Sequence, residues 1–171
     1  FPLADGRALG LVVGDVVGRG LEAAATMGQL RSAIRAFASV SASPAEVLEG
    51  LDRYSRRHGV GQMATVAYAQ LDLRAGELRY ACAGHPPPAL VEPGRPPRFL
   101  DDGRSLPLGA FVEALPRSDA RVAVGPSSAL VLYTDGLVER RHESLNTRLD
   151  RLLATPAEGT LERDLAHPPT R

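Results

Sequence analysis

The distribution of apolar positions divides the chain into a strand-like start, two successive helical stretches and a long strand-rich remainder. Phe1 to Leu3 and Ala8 to Val13 are apolar runs on either side of an Asp5-Gly6 turn signal, which predicts a hairpin. After Gly20, residues Ala23, Met27, Leu30, Ile34 and Phe37 recur at helical spacing, with Arg31 and Arg35 on the other side. Ser43-Pro44-Ala45-Glu46 is a capping box with Pro at the first helical position. Val47, Leu48, Leu51 and Tyr54 give this second helix its apolar face, and Gly59 ends it. From Met63 the period changes. Met63 to Leu73 and Leu78 to Ala83 flank Arg74-Ala75-Gly76-Glu77 and predict a hairpin, and Ala89 to Glu92 a short strand after Pro86-Pro87-Pro88. Pro93 to Arg117 has the Pro and Gly content of a loop. Arg121 to Val124 and Ala129 to Thr134, on either side of Gly125-Pro126, predict another hairpin, and Leu145, Leu149, Leu152 and Leu153 a closing helix. Two consecutive helices among hairpins make an antiparallel α+β domain, not a series of βαβ units.

Composition narrows the class. At 171 residues, one domain over 1–171 is the simplest organisation, with enough chain for a real core. Lys plus Arg balance Asp plus Glu at 20 each, and every one of the cations is Arg. No bulk charge therefore argues for a nucleic-acid or membrane-surface partner. The one cysteine, Cys82, excludes an internal disulfide and suits a reducing cytoplasm. No apolar run reaches the ~20 residues that span a bilayer, and no signal-peptide pattern opens the chain. Phe1, not Met, comes first and a strand pattern starts at once, so a piece of a longer polypeptide is expected.

The candidate chemistry sits where strands end. Leu9 to Val13 runs into Gly14 and a lone carboxylate, Asp15, before Gly18-Arg19-Gly20 opens the first helix. Leu130-Val-Leu-Tyr-Thr-Asp135-Gly136 repeats the construction far downstream. Gly18-Arg19-Gly20-Leu21-Glu22-Ala23 fits the dinucleotide pattern G-x-G-x-x-G/A, but a second helix follows where that fold needs a parallel strand. No Lys-Ser or Lys-Thr follows the glycines, so a phosphate-cradling P-loop fails too. Two readings of Asp15 and Asp135 stay open on residue chemistry. They share hard divalent ions, which take carboxylate and carbonyl oxygens, or Asp15 caps the Gly20 helix while Asp135 starts an Asp-Gly turn.

Four motifs in order carry a resemblance: Gly14-Asp15-Val16-Val17-Gly18-Arg19-Gly20, Met63-Ala64-Thr65, Ala83-Gly84-His85-Pro86-Pro87, and Leu132-Tyr133-Thr134-Asp135-Gly136-Leu137-Val138-Glu139. Together they resemble the SpoIIE/RsbU-like branch of the PPM metal-dependent protein serine/threonine phosphatases, over a core of about residues 9–153. The resemblance implies two antiparallel sheets sandwiched between helices, with the ions at one end. It implies that Asp15 bridges two Mn²⁺ or Mg²⁺ ions, that Val16 offers its carbonyl, and that Asp135 binds one ion beside a tight turn at Gly136. Arg19 stands where the family commonly has His and becomes a phosphate-side candidate with Gly136. Gly18, Gly20, Thr65, Gly84 and His85 become structural neighbours of the site. The activity implied is attack of metal-activated water on phosphoserine or phosphothreonine. The implied substrate is a phosphorylated STAS-type anti-sigma-factor antagonist, with sensory domains upstream in the same polypeptide. Two family features have no match: an acidic residue on a strand before Leu9 and a late acidic pair before a last strand. First and last strands are accordingly expected to be missing, and the alternative is a catalytically degenerate PPM-like fold that regulates or binds a protein.

Overall fold

The computed structural model describes residues 1–3, 6–110, 116–134 and 136. Its order is β1 (Pro2–Leu3), β2 (Ala8–Asp15), α1 (Gly20–Ala38), α2 (Pro44–His58), β3 (Thr65–Asp72), β4 (Glu77–Ala83), β5 (Ala89–Val91), β6 (Arg98–Phe99), β7 (Arg104–Ser105), β8 (Ala120–Ala123) and β9 (Ala129–Val131). One sheet runs β1-β2-β3-β4-β7 with β8 also on β4; the other runs β6-β5-β9. Every strand pair is antiparallel except β4–β7, which is parallel and short.

Alternation along β3 and β4 builds two cores from one sheet. Val66 and Tyr68 of β3 and Ala81 and Ala83 of β4 face the helices, packing with Leu30 and Ile34 of α1 and Val47, Leu48 and Leu51 of α2. Ala69 of β3 and Leu78 and Tyr80 of β4 face the other way, onto Leu90 of β5 and Leu100, with Leu130 of β9 alongside. The result is a layered α+β sandwich: helices, large sheet, small sheet.

The helix boundaries follow their end chemistry. Ser43 Oγ accepts the Glu46 N–H at 3.2 Å, and the Glu46 carboxylate returns to the Ala42 N–H at 2.8 Å. Gly59 closes α2 in the left-handed conformation, with φ 64°. In α1, Leu30, Ile34 and Ala38 are fully buried, whereas Ala23, Met27 and Phe37 are only half-buried. The apolar face is thus completed only toward the C-terminal end of α1.

One expectation is overturned. Arg121–Val124 and Ala129–Thr134 do not form a hairpin: β8 pairs with β4 and β9 with β5, in different sheets. Gly125-Pro126 carries the chain from one layer to the other, and both strands satisfy their backbones on strands already committed to a core. The loop from Pro93 to Arg117 also contributes the two-residue strands β6 and β7. Asp5 and the expected closing helix at Leu145–Leu153 lie outside the described residues.

Leu48 is fully buried between α2 and the sheet, so Leu48→Ala should cost about 2–5 kcal/mol, read as a lower midpoint of urea unfolding. Burial pushes the Cys82 thiol from 9.0 up to about 11. Its folded-state value lies above the unfolded one, so the associated stability is complete below about pH 9 and falls as pH rises toward 11. The same shift predicts that Cys82 resists thiol reagents at pH 8 and reacts once the chain is denatured.

Candidate metal and phosphate site

Asp15 is the last residue of β2, directly opposite Thr65, the first of β3. Close approach of the two backbones defines this end of the sheet. A Cβ on Gly14 would lie 2.7 Å from the Thr65 carbonyl, a contact that glycine alone avoids. The Asp15 side chain is exposed, and its Oδ1 accepts the Val16 N–H at 3.0 Å. Val16 packs half-buried against the helix-side core. Then Gly18 (φ 117°) and Gly20 (φ 76°) bracket Arg19, which is extended at φ −150°. Arg19 is the N-cap of α1, and no side-chain hydrogen bond caps that helix. The helix-capping alternative for Asp15 is therefore set aside.

Beside this loop, a polar recess of about 150 Å³ is lined by Val17, Gly18, Arg19 and Glu22 together with Gly61 and Gln62. A more apolar hollow of about 270 Å³ lies between β2 and α1, with Asp15 and Thr65 at its polar end.

His85 ties the downstream motif to this place. It is buried at 1% exposure, with Nδ1 2.8 Å from Thr65 Oγ1 and Nε2 2.9 Å from the Tyr133 carbonyl oxygen. A carbonyl only accepts, so Nε2 carries the proton; in the neutral ring, Nδ1 then accepts from the Thr65 hydroxyl. Gly84, just before it, has φ 66°, and a Cβ there would run into the Pro107 ring. One imidazole therefore spans from the residue opposite Asp15 to the carbonyl two positions before Asp135. Asp135 itself lies outside the described residues, and Gly136 is exposed.

The donor set can be tested against a hard divalent ion. Asp15 supplies an exposed carboxylate and Val16 a backbone carbonyl next to it, which suit oxygen-seeking ions. Among the described residues, no three His, Cys, Asp or Glu come together to hold an ion. These residues fit a share of such a site. Burial raises the Tyr133 hydroxyl to about 12 and the Cys82 thiol to about 11.

A feature the sequence reading missed is a buried charge on α2. Asp52 is 6% exposed and pairs with Arg117 at 3.0 Å and Arg56 at 3.1 Å. The available signal was positional, because Asp52 falls four residues after Leu48 within the apolar face.

The described geometry has counterparts in known proteins. A family model for stage II sporulation protein E (SpoIIE) matches residues 5–167. The chain belongs to the SpoIIE family. The phosphoserine phosphatase RsbU of Bacillus subtilis (strain 168) is 27% identical over 143 residues, covering 82% of this chain and 42% of that protein. The crystal structure of the RsbU and RsbW domains of Rv1364c from Mycobacterium tuberculosis superposes with a TM-score of 0.77 at 37% identity, covering 86% of this chain and 42% of that one. The PP2C phosphatase domain of SpoIIE from Bacillus subtilis shares the fold at a TM-score of 0.71 and 12% identity, covering 85% of this chain and 43% of that one. This SpoIIE-family chain thus spans about 42% of the length of the curated relative it matches. Among its described residues, no helix is long and apolar enough to cross a membrane.

Thr65→Val keeps the shape of the side chain but leaves a buried imidazole nitrogen without its donor. The expected loss is about 1–3 kcal/mol of unfolding free energy, measured by urea denaturation.

Proposed function

We propose that this chain is a phosphatase module that removes phosphate from serine or threonine of a signalling protein. One observation carries the reading: the Thr65–His85–Tyr133 hydrogen bonds join the Asp15 strand end to the chain two residues ahead of Asp135. Asp15, the Val16 carbonyl and Asp135 would hold Mn²⁺ or Mg²⁺. Such ions supply an acidified water and neutralise phosphoryl charge. The crystal structure of RsbX, a structural neighbour at 16% identity, is of a complex with magnesium.

The chain's own residues divide the remaining work. Asp15 ends β2 at the polar end of the hollow between β2 and α1. Arg19, beside the polar recess, pairs with phosphoryl oxygens but is no proton donor near pH 7, because a guanidinium stays charged. Gly18 and Gly20 let the backbone turn closely around Arg19, and a tight turn at Gly136 beside Asp135 is part of the proposal. Val17 and Leu21, 76% and 87% exposed, flank Arg19 in sequence and offer apolar contact to residues around the phosphorylated one. The proposed substrate is a STAS-type anti-sigma-factor antagonist in its phosphorylated form. The proposed setting is cytoplasmic, with sensory domains elsewhere in the same polypeptide and one phosphatase domain over 1–171.

The test is Mn²⁺-dependent hydrolysis of p-nitrophenyl phosphate and of a phosphorylated STAS protein by the full-length chain. Asp15→Asn and Asp135→Asn should each abolish turnover, and activity retained in either would overturn the site. No Mn²⁺ heat in calorimetry, together with no turnover, would favour the regulatory or protein-binding alternative. Leu21→Asp should raise KM for the phosphoprotein while leaving KM for p-nitrophenyl phosphate unchanged.

A further inference from the structure

We infer that Asp52, in the middle of α2, is a positioning residue for the Thr65–His85 hydrogen bond; its consequence for turnover rests on the function proposed above. The carboxylate is nearly enclosed; besides Arg56 on its own helix, its partners Gly109 and Arg117 belong to the loop that leads away from β7. Two hydrogen-bonded arms start from it.

The first arm runs through the loop backbone. Asp52 Oδ1 accepts the Gly109 N–H at 2.8 Å. The adjoining Leu108 accepts the Met63 N–H at 2.7 Å and donates its own N–H to the Ala64 carbonyl at 2.9 Å. Leu108 is fully buried in the helix-side core, so it cannot shift without the core shifting. Met63 is held at φ 62°, a conformation a side-chain-bearing residue rarely adopts unless its surroundings impose it. Thr65 follows two residues later.

The second arm runs through Arg117. Its Nη2 donates to Asp52 Oδ1 at 3.0 Å, and its Nη1 donates to Ser105 Oγ at 2.6 Å and to the Leu106 carbonyl at 2.8 Å. Ser105 Oγ donates to the Cys82 carbonyl at 2.8 Å, and the Ser105 carbonyl accepts the Gly84 N–H at 2.7 Å. His85 is the next residue. One arm therefore fixes the backbone before Thr65 and the other the backbone before His85. Both ends of the 2.8 Å bond between those side chains are referred to the same carboxylate.

A charge buried on a helix face would otherwise cost desolvation without return. Asp52 recovers it by accepting from Gly109 and pairing with Arg117 and Arg56. Gly109 and Arg117 belong to the two arms, so charge and geometry are satisfied together.

The experiment uses the full-length chain carrying Asp52→Asn or Ser105→Ala. Ser43→Ala serves as the comparison, because it removes the α2 cap without touching either arm. Two-bond ¹H–¹⁵N correlation of the His85 ring reports its tautomer and hydrogen bonding directly, and melting temperature is measured alongside. Asp52→Asn and Ser105→Ala should shift the His85 ring nitrogens under conditions where the chain is fully folded, whereas Ser43→Ala lowers the melting temperature and leaves them unmoved. Both arm variants should also weaken Mn²⁺ binding about tenfold and lower kcat for p-nitrophenyl phosphate with little change in KM. Ser105 is only half-buried, so that variant decides the matter if Asp52→Asn does not fold. Ring signals identical to wild type in a folded arm variant, or equal shifts in Ser43→Ala, would overturn the inference. A wild-type chain that neither binds Mn²⁺ nor turns over would sink the phosphatase reading alone, since the ring signals still read the coupling.

Discussion

The imidazole of His85 is hydrogen-bonded at both nitrogens, and the arrangement of the Asp15 end of the sheet depends on those two bonds. They reach across 20 residues to Thr65 and across 48 to Tyr133. A typical hydrogen bond contributes only about 1 kcal/mol net, but a buried polar group stripped of its partner costs the full desolvation. That asymmetry makes the ring a stringent locator: a displacement of β3 or of the segment after β9 strains one of these two hydrogen bonds. The cost is set by burial, and so is the precision.

The rest of the molecule is built to keep that end in place. β3 and β4 carry apolar side chains on both faces, so each is clamped between helices and the smaller sheet. A one-residue slip of β2 against β3 would send alternate side chains to the wrong core and would move Asp15 away from Thr65. Small residues permit the tight contacts there. Gly14 lets the β2 backbone approach the Thr65 carbonyl, and Gly84 turns beneath Pro107 in a conformation closed to most side chains.

Much of this was legible in the sequence. The capping box at Ser43, the glycine stop at Gly59 and the β3–β4 connection are local signals, and local geometry obeys them. The four motifs named the family, and the apolar run into Gly14 placed Asp15 at a strand end. What escaped were relations that no local pattern encodes. Arg121–Val124 and Ala129–Thr134 look like neighbours because a turn signal separates them, yet each found a better partner in a different sheet. Asp52 and Arg117 stand 65 residues apart, and nothing in either flank announces the pair. The same is true of His85 and the Tyr133 carbonyl, a backbone group that every residue possesses. Side-chain identity tells which groups need partners; only the fold tells which ones they get.

The passage of the chain between sheets at Gly125-Pro126 bears on how the protein assembles. β3 and β4 meet through a tight connection, whereas β2 waits for β3 until two helices have been traversed, and β9 reaches β5 only after β6, β7 and β8. Chains dominated by such distant pairings fold over milliseconds to seconds, because loop-closure entropy is spent before contacts repay it. The small sheet can close only when β9 docks, and β9 leads directly to Tyr133. A newly made molecule should therefore gain its helix-side hydrophobic layer first and the Asp15 end of the sheet last, with the imidazole bridge as the closing event.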